Sequence, residues 1–93
     1  MSQKPEDLSI EFKEGDLVTV KELAKEILTK GAWCTILFQF QNWDSKKNIY
    51  GPTQYSIRRY QKRGDSYQLR SKFNISSNDQ ANKIIQTLTQ WMS

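Results

Sequence analysis

Histidine is absent from the 93 residues, and cysteine occurs once, at Cys34. Without histidine there is no Ser-His or Cys-His nucleophile pair and no histidine-containing metal site. A single cysteine can neither close an intrachain disulfide nor build a thiolate zinc cluster, and its place inside an apolar run marks a small core residue. The four glycines stand apart, so no glycine loop cradles a phosphate. Glu22 and Glu26, four apart, read as a solvated face rather than as an acid/base pair. No N-terminal apolar run resembles a signal peptide, and no run is long enough to cross a bilayer. These absences lead to the expectation of a non-enzymatic protein without cofactor or metal, with no membrane partner. It is expected in the cytoplasm, or in the nucleus of a eukaryote.

Acids are also scarce, but only in one half. Residues 1–44 hold five lysines against eight acids, a net charge of −3, whereas residues 45–93 hold nine Lys or Arg against Asp65 and Asp79, a net charge of +7. An asymmetry of this size suggests an anionic partner for the second half. Aromatic residues make up 12% of the chain, enough to argue for a packed fold. The length suits one domain with a modest core, of the size that often gains stability by dimerising.

Residues 1–16 read as an arm, mobile in part, with a short alternation at Leu8, Ile10 and Phe12; residues 17–93 read as the domain. Leu17 to Lys30 supports two readings. Val20, Leu23, Ala24, Ile27 and Leu28 recur at helical spacing, whereas the opening Leu-Val-Thr-Val favours a strand. Lys30-Gly31 marks a turn. Ala32 to Trp43 alternates as a strand, with Cys34, Ile36, Phe38 and Phe40 as its core side and Trp33, Leu37 and Trp43 on the other. Asp44 to Gln54 is a loop bearing Lys46 and Lys47. Tyr55 to Lys62 is a strand, and Arg63-Gly64-Asp65-Ser66 a hairpin turn.

The next strand alternates Tyr67, Leu69, Ser71, Phe73 and Ile75 with Gln68, Arg70, Lys72, Asn74 and Ser76, giving an apolar face and a polar, basic one. It leads into a helix whose start carries an S-x-x-Q capping box at Ser77 and Gln80. Ala81, Ile84, Ile85, Leu88, Trp91 and Met92 then form one helical stripe. The expected packing sets that stripe on the apolar sheet face and leaves the basic face in solvent.

Eight cations and one acid lie between Lys46 and Lys72, interleaved with Tyr50, Tyr55, Tyr60, Tyr67 and Phe73. This is the composition of a platform for single-stranded nucleic acid, in which Lys and Arg neutralise phosphates and exposed rings stack on unpaired bases. The candidate binding residues are Arg58, Tyr60, Lys62, Arg63, Arg70 and Lys72 on the strands and turn, Lys46 and Lys47 on the loop, and Trp33 and Trp43. The two Trp serve either as stacking rings or as dimer packing. Tyr67, Phe73 and Trp91 are expected in the core or an interface.

Several of these motifs carry a family resemblance. Ile-Arg-Arg-Tyr at Ile57 to Tyr60, the turn at Gly64, the basic pair Arg70 and Lys72, and Asn-Ile-Ser-Ser-Asn-Asp-Gln at Asn74 to Gln80 resemble the transcriptional coactivator positive cofactor 4 family and its bacterial relatives. A weaker similarity covers Glu22 to Asp44, so about three quarters of the chain takes part. The family's glycine before Ile-Ser is Asn74 here, and its aromatic after the Tyr is Gln61. The resemblance implies an α+β fold, a four-stranded antiparallel curved sheet followed by one C-terminal amphipathic helix, forming a homodimer. It implies single-stranded DNA binding with little sequence preference, with Arg58 at the position of a DNA-contacting arginine, and it draws Leu17 to Lys30 towards a long bent strand. The expected role is a transcription or replication accessory factor, with transcription machinery as a further partner. The alternatives are an RNA-binding regulator on the same platform and an interaction module docking an acidic protein.

Overall fold

Alternation between large apolar and polar side chains from Trp33 onward produces the strand at the centre of the molecule. In the computed structural model, which describes residues 3–93, this strand is β3, Trp33–Asp44. It is preceded by β1, Phe12–Glu14, and β2, Leu17–Thr29, and followed by β4, Ile49–Tyr50, β5, Gln54–Arg63, and β6, Ser66–Ile75; helix α1, Asn78–Met92, ends the chain. All pairings are antiparallel, in the order β1-β2-β3-β5-β6, with β4 pairing to β3 off this path. The fold is therefore α+β, a curled antiparallel sheet with one C-terminal helix. Among the described residues it has six strands rather than four. The two extra ones, β1 and β4, come from the expected arm and the expected loop.

Leu17 to Lys30 resolves as a strand, and its misleading period has a geometric cause. The register of β2 against β3 shifts between Glu22 and Ala24 and again between Ile27 and Thr29. Each bulge inserts one residue and bends the strand. From Val20 onward the half-buried positions of β2 are consequently Val20, Glu22, Lys25 and Ile27, while Leu23, Ala24 and Leu28 are exposed. The helical spacing of the apolar residues thus does not describe which side chains are covered.

The deepest packing lies on the face of β3 that carries Cys34, Ile36, Phe38 and Phe40. Cys34, Ile36 and Phe38 are 0% exposed, and Leu8 and Ile10 from the N-terminal segment close over the row. That segment acts as a strap. A 3-10 turn at Pro5–Asp7 begins it, and Lys25 Nζ donates to the carbonyls of Glu6 (2.6 Å) and Leu8 (2.5 Å). Glu22 Oε1 accepts from Ser9 Oγ at 2.8 Å, and Gln3 N donates to Asp65 O at 2.7 Å. The stretch read as an arm is thus docked from Gln3 onward. Met1 and Ser2, the start of that arm, lie outside the described residues.

Helix α1 sits on the opposite face. Its start is capped as expected: Ser77 Oγ accepts from Gln80 N at 3.1 Å. The Gln80 carboxamide reaches back to Ser76 N (2.7 Å) rather than to Ser77. The packing differs from expectation in a larger respect, because the strap, not the helix, covers the main apolar row. Between helix and sheet an open groove of about 610 Å³ remains, lined among others by Leu37, Ile57, Ile75, Ala81, Ile84 and Leu88. At the end of the helix Trp91 is 76% and Met92 80% exposed, so neither is a core residue among the described ones. No described helix is long and apolar enough to cross a membrane.

Candidate nucleic-acid interface

Most of the cations singled out from the sequence lie on the hairpin β5–β6. Gly64, with φ 64°, supplies the left-handed conformation at the first loop position that a two-residue hairpin connection requires. The strands pair from Arg63↔Ser66 back to Tyr55↔Ile75. Residues directly opposite in an antiparallel pair share a face. On the strap side Arg58 therefore stands opposite Lys72, and Lys62 opposite Tyr67. On the helix side Arg59 stands opposite Ser71 and Gln61 opposite Gln68.

A register shift between Arg59 and Tyr60 places a bulge in β6 at Arg70. It overturns the single apolar face expected for that strand. Tyr67 and Leu69 fall on the strap side, opposite Lys62 and Tyr60; Phe73 and Ile75 fall on the helix side, opposite Ile57 and Tyr55. Tyr67 is half-buried against the strap-side core, whereas Phe73 is exposed. The same shift separates the expected basic row. Lys72 and Asn74 remain beside Arg58 and Ser56, while Arg70 turns to the helix side, where its Nε donates to Gln61 Oε1 at 3.0 Å.

Tyr60 was expected among exposed rings. It is 6% exposed and packed with Cys34, its partner across the strands, so its ring is not presented to a ligand. Burial pushes its hydroxyl above the ordinary tyrosine range, with the neighbouring Arg58 opposing the shift. Arg58 is half-buried, its Nε donating to Ser56 Oγ at 3.3 Å. Lys62, Arg63, Arg70 and Lys72 are exposed. Among the described residues, none of these cations forms an ion pair with a carboxylate; the one ion pair formed by a described lysine joins Lys30 to Glu6.

The remaining candidates divide between two ends of the sheet. Trp33 begins β3 next to the hairpin tip, where Lys62 N donates to Ala32 O at 2.8 Å. It is 38% exposed, and the Arg59 guanidinium lies over its ring, 4.1 Å from the centroid. Trp43 lies ten residues further along the same strand, roughly 33 Å away at the usual rise. There it meets Tyr50 edge-on at 5.1 Å, and the Tyr50 hydroxyl donates to Val18 O at 2.8 Å. Trp43 is half-buried there, at the β3–β4 end. Lys46 and Lys47 sit at that same end, their backbone N–H groups held by Asp44 Oδ1 at 3.0 and 3.2 Å. The structure does not bring them to the hairpin cluster.

Arg59 was missing from the candidate set although it belongs to the same Arg-Arg pair as Arg58. Period two places it with Ile57 and Gln61, whereas the binding side of β5 is read from Arg58, Tyr60 and Lys62. The Arg-Arg doublet was the available signal, since it puts one guanidinium on each side of the ribbon. Among the described residues no group of His, Cys, Asp or Glu is arranged to hold a metal ion. No protein-family model, curated protein or solved structure matches the chain, so the resemblance to positive cofactor 4 rests on its motifs alone.

Proposed function

We propose that the chain binds single-stranded nucleic acid, DNA in the first instance, through the β5–β6 ribbon, and acts as an accessory factor in transcription or replication. One observation carries this reading: six cations, Arg58, Arg59, Lys62, Arg63, Arg70 and Lys72, share one hairpin, with Arg58 directly opposite Lys72. Like charges directly opposite on a sheet destabilise it, and no described carboxylate offsets them through an ion pair. A polyphosphate strand is the ligand class that would neutralise such a ribbon on both faces, with affinity from counterion release rather than from base identity.

Self-association belongs to the same reading. The outer edge of β6 carries a bulge and the cations Arg70 and Lys72, features that discourage strand-to-strand pairing. The uncharged stripe of α1 and the groove beside it are the surface suited to a second copy, since both are apolar and lie on the same molecule.

The test is fluorescence anisotropy with a labelled oligo-dT of about twenty nucleotides, a length that spans a typical single-strand groove, at two salt concentrations. The expected result is binding whose log affinity falls linearly with log salt, abolished by joint Arg58→Glu and Arg70→Glu substitution in a protein that still folds. Unchanged affinity in that double variant would remove the ribbon from consideration. No binding at low salt would leave it as a docking surface for an acidic protein. Competition with RNA of the same sequence separates the two nucleic acids, and sedimentation of the same samples reports the dimer.

A further inference from the structure

Trp33, Arg59, Gln61 and Arg70 lie together on the half of the helix-side face that α1 leaves uncovered. Across the three strands, Trp33, Gln61 and Gln68 form one row, and Thr35, Arg59 and Ser71 form the next. The helix lies farther along, over Leu37, Ile57, Tyr55 and Ile75. We infer that these four side chains form a stacking subsite for one unpaired base and its adjacent phosphate. The inference rests on the single-strand reading above and goes beyond it, since phosphate neutralisation alone requires no base contact.

The geometry assigns each residue a part. Trp33 lies beneath the Arg59 guanidinium, whose Cζ stands 4.1 Å from the ring centroid. Arg59 as a residue is exposed to solvent. A planar, weakly hydrated guanidinium fixed in this way offers a second π-like surface on which a base can stack. Gln61 Oε1 is occupied by Arg70 Nε, which leaves the Gln61 amide N–H groups as donors and holds Arg70 in place above the bulge. The terminal nitrogens of Arg70 are then the donors assigned to the neighbouring phosphate, for which a guanidinium fork is suited. Two arginines share this patch, and among the described residues neither ion-pairs with a carboxylate. A surface built only for solubility would intersperse opposite charges there. At the other end of β3 Trp43 meets Tyr50 edge-on, and among the described residues no arginine lies over its ring.

The experiment compares an oligo-dT with an abasic phosphodiester chain of equal length at one low salt concentration. Unmodified protein, Arg59→Lys and Trp33→Leu are titrated with each. Arg59→Lys keeps the charge and removes the plane, so it is decisive even if Trp33→Leu proves unstable. The expected result is that the unmodified protein prefers the base-bearing strand by about tenfold or more. Arg59→Lys should lose most of that preference while holding its affinity for the abasic chain within about twofold, because the charge is retained. Equal binding of both strands by the unmodified protein overturns the subsite and leaves the phosphate-binding ribbon standing. A preference that survives Arg59→Lys also overturns it. Binding of neither strand overturns the ribbon reading itself, and the subsite with it.

Discussion

The two faces of one sheet have opposite fates. On the strap side, Cys34, Ile36 and Phe38 are fully buried beneath Leu8 and Ile10. On the helix side, the intervening residues of the same strand, Trp33, Thr35, Leu37 and Gln39, are no more than half-buried. A fifteen-residue helix covers less than an eight-residue strap because of where each is anchored. The strap is held along its length by Lys25, Glu22 and the hairpin edge through Gln3. The helix is tied at its N-terminus and then runs over an open groove. Amphipathic pattern alone therefore does not decide which element closes a core; satisfied backbone groups along the covering segment do.

That comparison can be broken by substitution at neighbouring positions of β3. Phe38→Ala should cost about 3–5 kcal/mol, the usual range for a buried aromatic cut to a methyl. Leu37→Ala, one residue away on the open side, should cost only about 1 kcal/mol, since partial burial removes less apolar area. Urea unfolding of the two variants measures both, and equal losses would erase the distinction between the faces.

The strap is tested next by Lys25→Met, which keeps the aliphatic stem and removes the ammonium from the carbonyls of Glu6 and Leu8. A loss of about 1–3 kcal/mol is expected, in the range for hydrogen bonds to a charged group. Faster amide exchange should be confined to the strap. Uniform exchange across the sheet would show that the clamp is not local.

The smallest effect sharpens the picture of the buried side. Burial raises both the Cys34 thiol, from an ordinary value of 9.0, and the Tyr60 hydroxyl, from 10.0. A raised folded-state value means the unfolded chain ionises first. This contribution to stability is therefore fully present below the ordinary values and is lost as pH rises through them towards the folded-state ones. The urea midpoint should decline from pH 9 upward, and the combined Cys34→Ala and Tyr60→Phe variant should flatten that decline. An alkaline slope unchanged in the variant would locate its origin elsewhere.

Much of this was legible from residue patterns. The alternation of β3 identified its buried row. Lys30-Gly31, Gly64 and Ser77 marked two turns and a helix start where the backbone required them. The concentration of cations on β5 and β6 was readable from counting. Three features were not. The positions of the bulges in β2 were hidden, although the opening Leu-Val-Thr-Val and the resemblance favoured a bent strand there. The bulge at Arg70 moved Phe73 and Ile75 away from Tyr67 and Leu69. Arg59 was assigned no role, because strand periodicity does not say which face will be covered.

The sequence by itself determined the boundaries of β3, β5, β6 and α1 to within a few residues, the charge of the hairpin and the apolar character of α1, because these follow from local periodicity and turn chemistry. Tertiary structure decided register, and with register the neighbours of every cation. One extra residue in β6 reverses the faces on either side of it, and only the pairing of β5 with β6 reveals where that residue sits. The same pairing sets Arg58 against Lys72 and, with β3 alongside, brings Arg59 over Trp33. These are long-range contacts that no single segment specifies.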